Sequence, residues 1–387
     1  MTAGKNYDVI IIGSGSIGAP AALNLSQMGA RVLVVDRLAS SGQGSNKAAI
    51  GGVRATHSDP AKIHLGLRSL EIFKSWKERY GDDIEWSSGG YCFLAYGEKV
   101  QKTLQELLIT QKKYGLKIEW YDSDEILRRI PHINPVDLCG GTISLEDGHC
   151  SNLRANHAFY MHARKSGADF RFKEEVNAIL RVNDRVSGVS TDKGKYNAPV
   201  VINAAGPWAA QIGALVGLEH PVMPDSHEAG ITEPVQHFLD PLIVDIRPAP
   251  GSANIYFYQQ ETGQLNLCLT PEPQIWGYDC NETSEFLPLI SKRVLQVMPA
   301  MANIRMRRTW RGLYPMTPDG FPIIGWSQEV EGYLMAIGMC GQGFMLGPAV
   351  GELLARMVTQ EALSPDDEAI LTQLSASRAF VGKEALK

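Results

Sequence analysis

The run Gly13-Ser14-Gly15-Ser16-Ile17-Gly18, with Asp36 about 20 residues beyond it, has the spacing that a dinucleotide requires. Gly13 allows a tight turn, Gly15 lets the backbone approach a pyrophosphate, and Gly18 lets a helix pack closely on a strand. A helix beginning there aims free N–H groups and a partial positive charge at the phosphates. The carboxylate of Asp36 can accept hydrogen bonds from a ribose diol. The same glycines would also fit a turn in an α/β domain that binds nothing. The motif alone does not choose between NAD and FAD.

A second glycine-rich run, Gly338-Met339-Cys340-Gly341-Gln342-Gly343, lies far down the chain and opens a helix-like stretch from Phe344 to Val358. It too points backbone N–H groups at an electron-rich ligand. A nicotinamide cofactor gives no evident reason for this second junction. A flavin does, because its pyrimidine ring becomes anionic on reduction and a helix N-terminus stabilises that charge.

Between the two junctions, the polar run Ser40 to Lys47 and the small residues Ala48 to Gly52 form a loop able to pass close to something bulky, or a plain surface loop. Arg54 and His57 follow. A guanidinium there could hold a substrate carboxylate by a two-pronged hydrogen bond, or lie on the surface. Tyr256 and Tyr258 alternate on one strand face, where pocket lining and core packing are equally good readings.

These residues need elements to hold them. Tyr7 to Ile12, a helix to Met28 and Arg31 to Asp36 make one βαβ unit. Pro60 to Tyr80 reads as one helix whose Ile63, Leu67, Leu70, Phe73 and Trp76 face a core. Trp86 to Ala95 reads as a turn and strand, Lys99 to Tyr114 as a helix, and Ser123 to Arg129 as a short helix capped by Ser123. Asn152 to Ser166 is a helix, followed by strands Asp169 to Phe172, Glu175 to Val182, Arg185 to Thr191 and Lys195 to Asn203. The last leads into Ala204-Ala205-Gly206-Pro207-Trp208, small residues at the carboxyl edge of a doubly wound sheet. From Val222 to Met306 the runs Ile243 to Ile246, Ile255 to Tyr258 and Leu265 to Leu269 precede a helix from Glu285 to Met298 and suggest a mostly antiparallel sheet. Trp310 to Gly325 crosses back, and Tyr333 to Ile337 is a strand.

The 387 residues suffice for about two or three domain-sized cores. The net charge of -5 offers no basic field for nucleic acid or anionic lipid. No apolar run approaches bilayer length and no leader pattern precedes the first strand, so a cytoplasmic protein is expected. The six cysteines form no C-x-x-C pair and read as buried free thiols. The nine histidines show no metal-binding spacing, and no Gly-x-Ser-x-Gly elbow occurs, so neither a metal centre nor a serine hydrolase is expected.

Taken in order, Gly13-x-Gly15-x-x-Gly18 with Asp36, Asn203-Ala204-Ala205-Gly206-Pro207-Trp208, Thr317-Pro318-Asp319-Gly320-Phe321-Pro322-Ile323-Ile324-Gly325 and Gly341-Gln342-Gly343-Phe344 resemble the D-amino-acid oxidase superfamily of FAD enzymes. Within it the chain is most similar to the glycine/sarcosine oxidase branch, including β subunits of sarcosine oxidase and proline dehydrogenase complexes. The resemblance implies an α/β FAD-binding domain of Rossmann-like, glutathione-reductase type and an α+β substrate domain with a mostly antiparallel sheet. Residues 1–86, 146–222 and 311–370 are expected to form the first, residues 87–145 and 223–310 the second, and residues 371–387 a tail.

The resemblance also implies an extended FAD. Its adenosine end is expected at Gly13, Gly15, Ser16, Ile17, Gly18, Asp36 and Arg37, with Val176 nearby. Ser45, Asn46, Ala204, Ala205, Gly206 and Trp208 are expected along its length. Its ring is expected near Gly51 and Gly52 and near Gly341, Gln342, Gly343, Phe344 and Met345. The implied reaction oxidises the C–N bond of a small amino acid or N-alkyl amino acid to an imine, with hydride passing to the flavin. Arg54 is the expected carboxylate anchor, with Arg311, Tyr256 and His57 as further catalytic candidates.

The chain departs from monomeric sarcosine oxidases at four informative places. His57 stands where they carry a second arginine and Met345 where they place a carboxylate-binding lysine, which favours a bulkier or differently charged substrate. Asn266 stands near their oxygen-activating lysine, which favours a dehydrogenase delivering electrons to a protein or quinone over one delivering them to O2. Tyr314 replaces the cysteine that tethers their flavin, so non-covalent FAD is expected. Rival readings are oxidation of a 2-hydroxy acid or polyol phosphate on the same scaffold, and an FAD-binding subunit active only with hetero-oligomeric partners.

Overall fold

The computed structural model describes residues 5–382 and 384–386. The run Val9–Ile12 pairs in parallel with Val32–Asp36 on one side and Val200–Asn203 on the other. Asp169–Phe172 and Tyr333–Ile337 extend this parallel sheet, and Ile323–Trp326 closes one edge antiparallel, giving six strands. Both faces are covered, which explains the unbroken apolar runs. Val9 and Ile11 point into one core cluster, while Ile10 and Ile12 point into another. Lys195–Asn197 and Val200–Asn203 are two strands rather than one, because Pro199 has no N–H to continue a ladder. The first belongs to a separate four-stranded sheet with Arg185–Thr191 and Val176–Val182.

Two helices set the geometry of the first domain. Gly18–Gln27 follows the glycine turn, and Gly343–Thr359 lies directly across it. The crossing is tight because of glycine. A Cβ on Gly18 would overlap the Gly13 carbonyl oxygen, one on Gly347 the Ser16 carbonyl oxygen, and one on Gly351 would sit 2.7 Å from the Ala21 nitrogen. Gly343, Gly347 and Gly351 fall on one face at a four-residue spacing. That stripe brings the two helix N-termini to the same cleft.

The second sheet has eight strands and is antiparallel throughout, except where Leu242–Asp245 runs parallel to Tyr91–Tyr96. At one edge, Met306–Met316 pairs with its neighbour Met223–Thr232 along ten positions. Neither stands out by alternation, because Pro224, Gly230, Gly312 and Pro315 interrupt them. The boundary expected at 310/311 falls inside the strand Met306–Met316, so residues 311–316 stay with this sheet. One face packs on the helix Phe286–Val297, burying Phe286, Ile290, Val294 and Val297 against Phe257 and Leu267.

Several local expectations change. The helix from Pro60 breaks at Ser75, whose hydroxyl donates to the Glu71 carbonyl at 2.6 Å, and resumes as Trp76–Tyr80. The short helix Ser123–Arg129 is capped by Asp122, whose carboxylate accepts from the Glu125 N–H at 2.9 Å. The expected tail, 371–387, has described residues that pack on the rest of the chain. The helix Pro365–Gln373 runs across their start, and Glu384 and Leu386 are buried. All six cysteines are free, yet Cys280 is exposed and Cys139 half-buried. Among the described residues no helix is long and apolar enough to cross a membrane.

Candidate active site

One elongated cleft of about 2000 Å³, counting its open mouth, runs between the two sheets. Both glycine junctions open onto it. Gly13 turns there with a positive φ of 105°, and an added Cβ would meet the Ala204 backbone, so the turn and the small-residue strand end fit only each other. Gly15 has open space around it, as a backbone that must meet a ligand requires. Neither Gly18–Gln27 nor Gly343–Thr359 has a side-chain cap at its N-terminus.

Asp36 ends its strand at the cleft, and its carboxylate accepts from the Ser14 and Leu38 N–H groups, each at 2.8 Å. Burial pushes its pKa up, and those backbone donors oppose the rise. Arg37 lies 4.3 Å over the Trp208 ring and pairs with Glu175, which frames the same end beside Val176. Along the middle, Ser45 donates to the Leu313 carbonyl at 2.7 Å, tying the polar loop to the second sheet. Ser16, Ile17, Ala205 and Gly206 also line the cleft. Further in, Gly51, Gly52, Gly341, Phe344 and Met345 line it. Of the residues expected at the cofactor, Gly18 alone stays off the surface, where its work is packing.

The candidate substrate residues divide. Arg54 and Tyr256 line the inner end of the cleft; His57 and Arg311 do not. Arg311 turns to the far face of its strand, donating to the Asn281 carbonyl at 3.0 Å and reaching Asp279 at 3.4 Å. His57 is fully buried behind Arg54, with its Nδ1 at 3.3 Å from an Arg54 nitrogen. A guanidinium only donates, so this ring nitrogen accepts and the imidazole is neutral. Burial and the charges of Arg54 and Lys62 hold its pKa well below the usual histidine range. His57 therefore orients Arg54.

Arg54 is buried and lies 5.4 Å from the Phe93 ring centroid. Its hydrogen bonds among the described residues go to neutral acceptors: the Thr56 carbonyl, His57, and the Leu386 carbonyl at 2.5 Å. Around it stand Tyr91, Phe93 and Val244 from the floor, then Tyr256, Cys268 and Tyr314. The Tyr256 and Tyr314 hydroxyls are 2.5 Å apart, and the His227 ring stacks on Tyr314 at 3.7 Å. Burial raises the Tyr256 pKa and pushes the Cys268 thiol up to about 12, so neither is a base near neutrality. Tyr258 is turned under the loop, donating to the Ile50 carbonyl and accepting from Asn266 at 2.7 Å. Tyr91 and Phe93 were not singled out in the sequence, although their alternation on one strand was the available signal. Nothing in the sequence pointed to Leu386.

Asp147 fixes the loop that carries Arg54, accepting from the Ala55 N–H at 2.9 Å and the Thr56 hydroxyl at 2.5 Å. Burial pushes its pKa up to about 6, more than those hydrogen bonds and Arg54 pull it down. A folded pKa above the unfolded value means that its contribution to stability is full below about pH 4 and is lost as pH rises through about 6. The change amounts to roughly 3 kcal/mol. Asp147→Asn keeps a carbonyl acceptor and cannot ionise. The free-energy difference between wild type and D147N is expected to move towards Asn by roughly 2 kcal/mol between pH 4.5 and 7.5, about 1 kcal/mol of the change lying below pH 4.5. Urea unfolding at the two pH values measures it, and a pH-independent difference would refute it.

Residues 8–357 match the family described as DAO, FAD dependent oxidoreductase. The chain belongs to this family. It is 27% identical to hydrogen cyanide synthase subunit HcnC of Pseudomonas aeruginosa over 94% of both chains. Among solved structures, L-proline dehydrogenase from P. horikoshii superposes with a TM-score of 0.88, 29% identity and coverage of 94% of this chain and 96% of that one. Glycine oxidase from Geobacillus kaustophilus superposes with a TM-score of 0.86, 25% identity and coverage of 97% and 99%. The protein is thus an FAD-dependent oxidoreductase with the two-domain architecture of this family.

The cleft of this oxidoreductase fits FAD on its own evidence. Asn46 and Gln342 line it, and each carries a buried side-chain oxygen with no hydrogen-bond partner among the described residues. A ligand bearing hydroxyl and N–H groups satisfies such acceptors. Asp36 and the two uncapped helix N-termini supply what a ribose and negatively charged groups require.

Proposed function

We propose that this enzyme oxidises the C–N bond of a small amino acid or N-alkyl amino acid to an imine. The observation that carries this reading is Arg54: a buried guanidinium at the aromatic inner end of the FAD cleft, bonded only to neutral acceptors among the described residues. A carboxylate is its natural partner, since charged acceptors make the stronger, two-pronged bonds. Tyr91, Phe93 and Val244 offer an apolar wall for the substrate's carbon skeleton. Bound FAD supplies the acceptor for the hydride. The chain's own part is to orient the C–H bond, exclude water and leave the amine nitrogen unprotonated.

The relatives support the class: two of those named above are a proline dehydrogenase and a glycine oxidase. Asn266, held by Tyr258, stands where a lysine would favour O2, so we read the enzyme as a dehydrogenase with a protein or quinone acceptor. The name of HcnC as a subunit supports hetero-oligomeric partners here. We also infer non-covalent FAD, because Tyr314 is engaged with Tyr256 at the inner end.

The test is the absorption spectrum of the purified protein, before and after acid precipitation, then anaerobic addition of sarcosine, proline, glycine and D-amino acids. We expect flavin in the supernatant and bleaching by one of these. Bleaching by 2-hydroxy acids or polyol phosphates alone would replace the amine reading with the rival on the same scaffold.

A further inference from the structure

Residues 384–386 run into the interior behind the cleft, and the Leu386 carbonyl meets the Arg54 guanidinium, the proposed anchor of the substrate carboxylate. The approach is pinned first: Arg378 holds Asp319 at 2.8 and 3.0 Å and the Phe321 carbonyl at 2.8 Å. Glu384 then enters the interior, pairing with Lys62, which is itself fully buried and lies 4.3 Å from the Phe321 ring centroid. Its carboxylate also takes the Ser58 hydroxyl and the Leu386 N–H, the latter at 3.1 Å. Leu386 is 1% exposed and packs into the cluster of Tyr91, Phe93, Leu242 and Val244. Its carbonyl receives the Arg54 guanidinium at 2.5 Å.

We propose that this segment is a displaceable stopper: Leu386 fills the apolar end of the substrate chamber, its carbonyl satisfies Arg54 between turnovers, and the Glu384–Lys62 pair holds it in place. The inference rests on the reading of Arg54 as the carboxylate anchor. A neutral carbonyl is a weaker partner for a guanidinium than a carboxylate, so a carboxylate ligand can displace it, whereas a neutral amine lacks the means. The buried ion pair resists that displacement, because separating it strands two charges away from water. Substrate affinity is then lowered by the fraction of molecules in which the stopper is open. The arrangement also keeps Arg54 hydrogen-bonded when no substrate is present.

The experiment uses full-length, FAD-loaded protein and furan-2-carboxylate, a carboxylate with no oxidisable amine. Its affinity is read from the flavin absorbance in wild type, Leu386→Gly, Glu384→Gln and Arg54→Met. Hydrogen exchange at Ala385 and Leu386 is followed in wild type. If the open fraction is about a tenth, both stopper variants bind the probe about tenfold more tightly. The probe should also speed exchange at those two amides. Unchanged or weaker binding in the stopper variants, or slower exchange, would show a fixed wall and overturn the stopper. Should E384Q fail to fold, L386G and the wild-type exchange still decide. Loss of binding in R54M without tightening in the stopper variants removes the stopper alone. Undiminished binding in R54M removes the anchor reading and the stopper with it.

Discussion

Arg54→Met raises KM for the amino-acid substrate by about thirtyfold to a few thousandfold, while the protein still purifies with FAD. Truncating one partner of a buried, hydrogen-bonded charge pair costs roughly 2–5 kcal/mol, much of it from leaving the other charge unpaired. Each 1.4 kcal/mol is about tenfold in affinity, which places the effect in that range. The flavin content should hold because the groups expected at FAD, Asp36 and the two helix N-termini among them, lie elsewhere along the cleft. Met keeps the length and apolar character of the stem against Phe93, so lost charge is what the variant reports. Arg54→Lys should fall between, because an ammonium lacks the planar fork. Steady-state KM and kcat, with flavin-to-protein absorbance ratios, measure the effect. An unchanged KM would place the carboxylate anchor elsewhere.

Gly347→Val disrupts FAD binding from a position that does not line the cleft. A Cβ there overlaps the Ser16 carbonyl oxygen, a backbone atom that no side-chain rotation can move aside. The helix Gly343–Thr359 must then lift off Gly18–Gln27 and carry its N-terminus away from the cleft. Overpacking of this kind costs about 3 kcal/mol or more. For a chain of this size that lowers Tm by roughly 3–6 °C. If about half of the cost appears in the holo state alone, the FAD dissociation constant rises about tenfold. Gly194→Ala is the control, since that residue has open space and no positive φ, and it should leave both quantities unchanged. Calorimetry and FAD titration of the apoprotein check the pair. A G347V protein with wild-type FAD affinity would show that the crossing does not position the junction.

The apolar runs of the first sheet, the glycine junctions and Asp36 were legible because each is a local requirement. A strand covered on both faces must be apolar at every position, and a backbone that meets a pyrophosphate must lack a Cβ. Met223–Thr232 and Met306–Met316 were hidden because pairing with each other, not alternation, makes them strands. Ser123 and Asp122 are both good caps. The extended backbone of Asp122 makes it the one used, and composition does not encode that choice.

The substrate end shows the same division. Arg54 was the expected anchor in the sequence, with His57 and Arg311 as further candidates, but nothing in the sequence showed where each side chain faces. Which way each strand or loop faces is a tertiary fact: Arg54 points into the cleft, His57 supports it from behind and Arg311 faces Asp279 and Asn281 on the other side of its sheet. By itself, the sequence determined a pattern that suits a dinucleotide and, through its second glycine junction, that a flavin suits it better than a nicotinamide. Only the tertiary structure decided which guanidinium lines the cleft and that Leu386, 332 positions away, lies against it. Motifs record contacts between near neighbours, whereas a chamber wall is assembled by long-range packing that leaves no spacing to read.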